Sequence, residues 1–110
     1  MAHDYDIQEA VDAMFGRLES VTSKRMFGGV CYLHRGNMAL GVYKDNLIVR
    51  LGSQEQAQTF VESGEALPFD ITGRPMKGWI MVPKSQLASQ SDYRRWADMA
   101  LAFTKSLPPK

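Results

Sequence analysis

Covalent catalysis by a thiol needs a base within hydrogen-bond reach, and Cys31 and His34 are the only cysteine and histidine close together in this 110-residue chain. A spacing of three along a strand turns the two side chains to opposite faces. Cys31 on an apolar strand therefore reads as a small buried hydrophobe and not as a nucleophile. Metal chemistry asks for clustered ligands, whereas the only two histidines, His3 and His34, stand far apart. Asp4, Asp6, Glu9 and Asp12 form an acidic run, but carboxylates in a first helical turn are what the helix dipole favours. Gly28-Gly29 lacks the lysine and hydroxyl of a phosphate-binding loop and the glycine spacing of a dinucleotide fingerprint. No catalytic group, metal or cofactor is expected from these residues, and an enzyme is the least favoured class.

Two groups of residues invite a binding role instead. Residues 74–97 hold Arg74, Lys77, Lys84, Arg94 and Arg95 against Asp92 alone, with Trp79, Tyr93 and Trp96 among them. Arginine and lysine interleaved with aromatic rings can follow a phosphate backbone and stack bases. Against that stands the net charge of +1, which supplies little attraction for a polyanion, and Arg94 can pair with Asp98 across one helical turn. Nucleic-acid binding through Arg74, Lys77, Arg94 and Arg95 is the second choice. In the other group, Arg25 precedes Met26-Phe27-Gly28-Gly29. The glycines have an ordinary structural explanation, since paired glycines in a strand-rich region mark a bulge, a bend or a close backbone approach. The functional reading is that Arg25 presents a donor fork beside a surface thinned by Gly28 and Gly29, where a partner backbone can approach.

The elements that must position these residues follow from periodicity. Ile7, Val11, Met14, Phe15 and Leu18 share one helical face, which with a capping-box-like Asp6 and Glu9 predicts a helix over 6–19. From Met26 to Leu51 the period becomes two, giving three or four strands with turns at Arg35-Gly36 and Tyr43–Asn46. Ser53, with Gln56 three residues on, opens a second helix that Gly64 stops. Two short strands follow, 68–71 and 79–82, joined by a turn at Thr72-Gly73. A last helix begins near Ser91, carries Trp96, Met99, Ala100 and Phe103 on one side, and leaves a proline-ended tail. Helix, strands, helix, two strands, helix implies an α+β, two-layer sandwich: an antiparallel sheet with helices on one face.

Several of these segments resemble one family. Arg25-Met26-Phe27-Gly28-Gly29-Val30, after a first helix and before a strand meander, is similar to the signature of the TfoX N-terminal domain family. Asn37-Met38-Ala39-Leu40, Asn46-Leu47-Ile48-Val49-Arg50, Leu67-Pro68-Phe69, Met76-Lys77-Gly78-Trp79 with Val82-Pro83, and Trp96 with Ala100 extend the resemblance in order. The resemblance implies a two-layer α/β arrangement like that of secretion chaperones. It also implies kinship with regulators of natural competence, whose full-length forms carry a further helical domain; this chain is expected to resemble the stand-alone members. Arg50 stands where many relatives show lysine, and Ile71 where an aromatic is common.

Length and composition bound the rest. At 110 residues, with 45% hydrophobic content, residues 1–110 are expected to form one domain able to fill its own core, with 1–5 and 107–110 frayed. A single cysteine allows no internal disulfide. Neither a signal peptide nor a membrane span is legible, so a cytoplasmic location without membrane contact is expected. The favoured function is a protein-interaction or regulatory adaptor whose protein partner the sequence does not name. The acidic beginning and basic late segment could also meet across a two-fold axis in a homodimer.

Overall fold

A computed structural model describes residues 5–15, 21–26, 29–69 and 78–108. Helix α1 (Tyr5–Met14) leads into four antiparallel strands, β1 (Val21–Met26), β2 (Gly29–His34), β3 (Asn37–Tyr43) and β4 (Asn46–Arg50). Helix α2 (Gln54–Glu62), strands β5 (Leu67–Pro68) and β6 (Trp79–Pro83), a 3₁₀ turn at Lys84–Gln86 and helix α3 (Gln90–Thr104) complete the order. The six strands form one sheet, β1-β2-β3-β4-β6-β5, and every neighbouring pair is antiparallel. The α+β class and the expected succession of elements are both present.

Strand register explains where the core lies. Val30, Val42, Leu47 and Val82 align in one row across the sheet, and Tyr32, Leu40, Val49 and Ile80 in another. All eight are buried and join Ile7, Val11 and Phe15 of the first helical segment, Ala57 of α2, and Trp96 and Ala100 of α3 in one apolar cluster. Alternation along each strand thus turns every second residue to the helices. Cys31, Gly41, Ile48, Met81 and Leu67 form the row between them, on the opposite side.

Several local signals act as their chemistry predicts. Arg35 and Gly36 take positive φ (54° and 84°), as does Lys44 (54°) in the β3–β4 turn, which suits tight hairpins to strand twist. Ser53 Oγ accepts the Gln56 amide at 3.3 Å and caps α2, but the Gln56 side chain reaches Met99 Sδ instead of closing the box. Ser89 and Asp92 form a complete capping box at α3, two residues earlier than Ser91. Gly64, with φ +83°, ends the α2 segment.

Three expectations differ in extent. The first helix ends at Met14, not at 19, and Gly16, Arg17 and Leu18 lie outside the described residues. The strand expected over 68–71 is the two-residue β5, and the turn at Thr72-Gly73 also lies outside them. A strand the periodicity missed, β1, occupies Val21–Met26; its Thr22 to Arg25 are all exposed, so no apolar alternation announces it.

A bulge completes the frame. The β2–β3 register slips at Tyr32 and Leu33, which pair with Leu40 and Met38 and leave Ala39 as the additional residue. The slip brings Asn37 beside His34, both buried. Asn37 Nδ2 donates to the Pro108 carbonyl at 3.0 Å, and His34 Nδ1 lies 3.0 Å from Thr104 Oγ1. The end of α3 is therefore tied to the β2–β3 hairpin by polar contacts inside the core.

Candidate functional site

Sheet order leaves two edges of unequal kind. At one, β5 is two residues long and its second is Pro68, which has no amide hydrogen to offer. At the other, β1 runs for six residues and, among the described residues, is paired on one side only, with β2. Half of an edge strand's N–H and C=O groups point away from the sheet and form a template for another strand. Thr22, Ser23, Lys24 and Arg25 are exposed, and neither Lys24 nor Arg25 makes an ion pair among the described residues. As neighbours on a strand, the two cations emerge on opposite faces of this edge.

Arg25 thus stands on the open edge, opposite Val30 of β2. Gly29 begins β2, where an added Cβ would overlap the Val42 carbonyl oxygen of β3; the glycine is there to let two strands approach. Gly28, Arg74 and Lys77 lie outside the described residues, so the late basic group can be followed only through Lys84, Arg94 and Arg95. Those three do not gather. Lys84 Nζ pairs with Asp6 at 3.1 Å, so the acidic beginning and basic late segment meet within one chain. Arg95 pairs with Glu65 at 2.7 Å and lies 4.6 Å from the Trp96 ring and 5.4 Å from that of Phe60, joining α3 to the end of α2. Arg94 makes no ion pair among the described residues, so the suggested Arg94–Asp98 pair is absent. It borders a small concavity of about 90 Å³ with Ala13, Met14 and Gln90.

Cys31, Tyr32 and His34, the described groups of reactive type on β2, are all buried. Cys31 is buried, and burial raises the pKa of its thiol above the ordinary value, away from the thiolate that reacts. His34 sits in the α3-facing layer against Thr104, while Cys31 lies in the row on the sheet's other side. Burial, first, and then the nearby charges of Arg35 and Lys105 lower the His34 pKa. Tyr32 donates its hydroxyl to Asp12 Oδ1 at 2.5 Å; burial and that carboxylate push its pKa well above the phenol range. Among the described residues no three His, Cys, Asp or Glu side chains converge as metal ligands would, and no helix is long and apolar enough to cross a membrane.

One arrangement escaped the sequence reading. Arg50 and Trp79 are directly opposed on β4 and β6, and the guanidinium lies 5.3 Å from the Trp79 ring and 5.1 Å from that of Phe103. Its Nη1 donates to the Met38 carbonyl at 3.3 Å. Alternation from Ile48 and Met81 was the available signal for placing Arg50 and Trp79 side by side; the arrival of Phe103 from α3 had none. Phe103 comes close because Gly52 has no Cβ, which would overlap its ring.

No curated protein and no solved structure matches this chain. The TfoX N-terminal domain family matches residues 13–104, a span that runs from the end of α1 to the end of α3 and takes in every strand. The chain belongs to the TfoX N-terminal domain family.

Proposed function

We propose that this domain is a non-catalytic, regulatory interaction module of the competence-regulator type, and that β1 is its docking edge for an acidic, extended segment of a partner protein. The observation that carries the reading is a six-residue outer strand, exposed from Thr22 to Arg25, with two cations lacking ion pairs among the described residues. Strand addition draws its affinity from main-chain hydrogen bonds and its specificity from alternate side chains. Lys24 and Arg25 flank the incoming strand on both faces and favour acids there, each cross-strand charge pair contributing about 0.2–1 kcal/mol. The same two cations discourage edge-to-edge pairing between copies of this chain. Membership of a regulatory family agrees with a surface that contacts and does not transform.

The test compares proteins captured from the native host by the wild-type domain, by a Lys24→Glu/Arg25→Glu variant, and by an Arg94→Glu control. Loss of the captured partner with the β1 variant alone is the expected result. Unfolding free energies should agree within about 0.5 kcal/mol, because all three positions are exposed. The same partners on wild type and β1 variant would overturn the reading.

A further inference from the structure

The phase of the β1–β2 ladder decides which groups of the outer strand are left to a partner. Met26 and Gly29 are partners in the register with two residues between them. That pair exchanges main-chain hydrogen bonds, because the opposite phase would require the next bond to join two consecutive residues, which cannot reach each other. Hydrogen-bonded and non-hydrogen-bonded pairs alternate along an antiparallel ladder. Met26, Lys24 and Thr22 therefore direct their N–H and C=O groups to β2, and Arg25, Ser23 and Val21 direct theirs outward. The β3–β4 hairpin obeys the same rule. Tyr43 and Asn46 are partners across two residues, which turns the Asn46 groups to β3. On its other side Asn46 faces Pro83, which has no amide hydrogen, and the main-chain bond beside that pair runs from Lys84 N–H to the Asp45 carbonyl oxygen at 3.1 Å.

Side chains follow the same alternation. Arg25 lies opposite Val30, a member of the helix-covered core, and Lys24 lies opposite Cys31, on the other face. An incoming strand meets Arg25 at a hydrogen-bonded position, with Cα atoms about 5.5 Å apart, and Lys24 at a non-bonded one, about 4.5 Å apart, where cross-strand side chains come closer. The two cations are consecutive, so two acids that match both must be consecutive as well; acids at alternate positions share one face and reach only one cation. Thr22 and Ser23, also exposed, carry hydroxyls and no charge, and favour threonine or serine across from them. Antiparallel addition continues a sheet in which every described pair is antiparallel, and it is the slightly more stable pairing per residue.

We propose, resting on β1 as the docking edge, that the segment it receives is an antiparallel strand with two consecutive acids, the first opposite Arg25 and the second opposite Lys24, followed by uncharged residues opposite Ser23 and Thr22. The main chains of Ser23 and Arg25 exchange hydrogen bonds with that strand. The adjacent cations set its register and direction.

Hexapeptides with acetylated and amidated ends, titrated into the full chain and followed by NMR, supply the test. Val-Asp-Asp-Thr-Val-Thr should bind roughly 2- to 5-fold more tightly than Val-Asp-Thr-Asp-Val-Thr, of the same composition and charge, which is the gain from one cross-strand charge pair. On saturation the Ser23 and Arg25 amides should become protected from exchange, whereas those of Thr22 and Lys24, already bonded to β2, should change little. In Arg25→Glu, Val-Lys-Asp-Thr-Val-Thr should bind more tightly than Val-Asp-Lys-Thr-Val-Thr, since an antiparallel strand presents its earlier residue to position 25. Equal affinity of the two acidic isomers, protection gained only at Thr22 and Lys24, or the reverse preference in Arg25→Glu would overturn the consecutive-acid assignment and leave the docking edge standing. No effect of any peptide on the β1 amides, or β1 protection that grows with the concentration of the chain alone, the mark of a second copy on the edge, would overturn the docking edge and this assignment with it.

Discussion

Thr104 Oγ1 lies 3.1 Å from the Ala100 carbonyl oxygen and shares a hydrogen bond with His34 Nδ1 at 3.0 Å. Burial opposes a second proton, and the charges of Arg35 and Lys105 oppose it further. His34 in the unfolded chain titrates near its ordinary pKa of 6.5, and in the folded chain it titrates lower. The unfolded state thus takes up the proton first as pH falls. The stability held by neutral His34 is complete above pH 6.5 and is lost as pH drops from there through the folded pKa. Within that window stability falls as pH falls, by less than the limit of about 1.4 kcal/mol per pH unit that one fully transferred proton would give. Urea unfolding of wild type and His34→Gln between pH 7.5 and 5 should show that fall in the wild type and a shallower one in the variant; parallel profiles would refute it. That His34 and Cys31 lie on opposite sides of the sheet was legible from their spacing on a strand. The Thr104 partner was not, because it is seventy residues away and meets His34 only when α3 covers the sheet.

At the scale of elements, Gly29 illustrates how one residue sets the approach of two strands. A Cβ there would overlap the carbonyl oxygen of Val42, a backbone atom of β3 held in the β3–β4 ladder. Relief must come from moving β2 against β3. Gly29→Ala should therefore cost roughly 1–3 kcal/mol, the range for overpacking a well-packed site, read as a lower urea midpoint at unchanged m-value. A loss below about 0.5 kcal/mol would mean that the strands are free to separate. The sequence marked this position for a bulge, a bend or a close approach; the register decides among these for Gly29 and puts the bulge at Ala39. Strand β1 shows the opposite case. Val21-Thr22-Ser23-Lys24-Arg25 carries no apolar alternation, since an edge strand buries little on either face, and hydrophobic period has nothing to report there.

For the whole molecule, the sheet order predicts a gradient of protection. Strands β3 and β4 are paired on both sides and carry Leu40, Val42, Leu47 and Val49, all at most 1% exposed. Their amides should exchange with solvent only on global unfolding, while the outward amides of Thr22 to Arg25 exchange orders of magnitude faster. Hydrogen exchange read by NMR checks this, and β1 amides as slow as those of β4 would mean that something covers the edge. Adding the acidic partner segment should slow the β1 amides alone.

Periodicity specified the helices, the meander and most of the core, and the Ser53 cap the start of α2, because a buried face must recur at 3.6 or 2 residues and a helix end must satisfy its own amides. Local residue types also identified the hairpin turns, the buried cysteine and the family. Tertiary structure alone decided that β1 lies on the outside with Lys24 and Arg25 unpaired among the described residues, and that Arg95 is joined to Glu65 while Lys84 reaches Asp6. These are relations between residues distant in the chain. They follow from the order in which strands pair and helices pack, which no local pattern encodes.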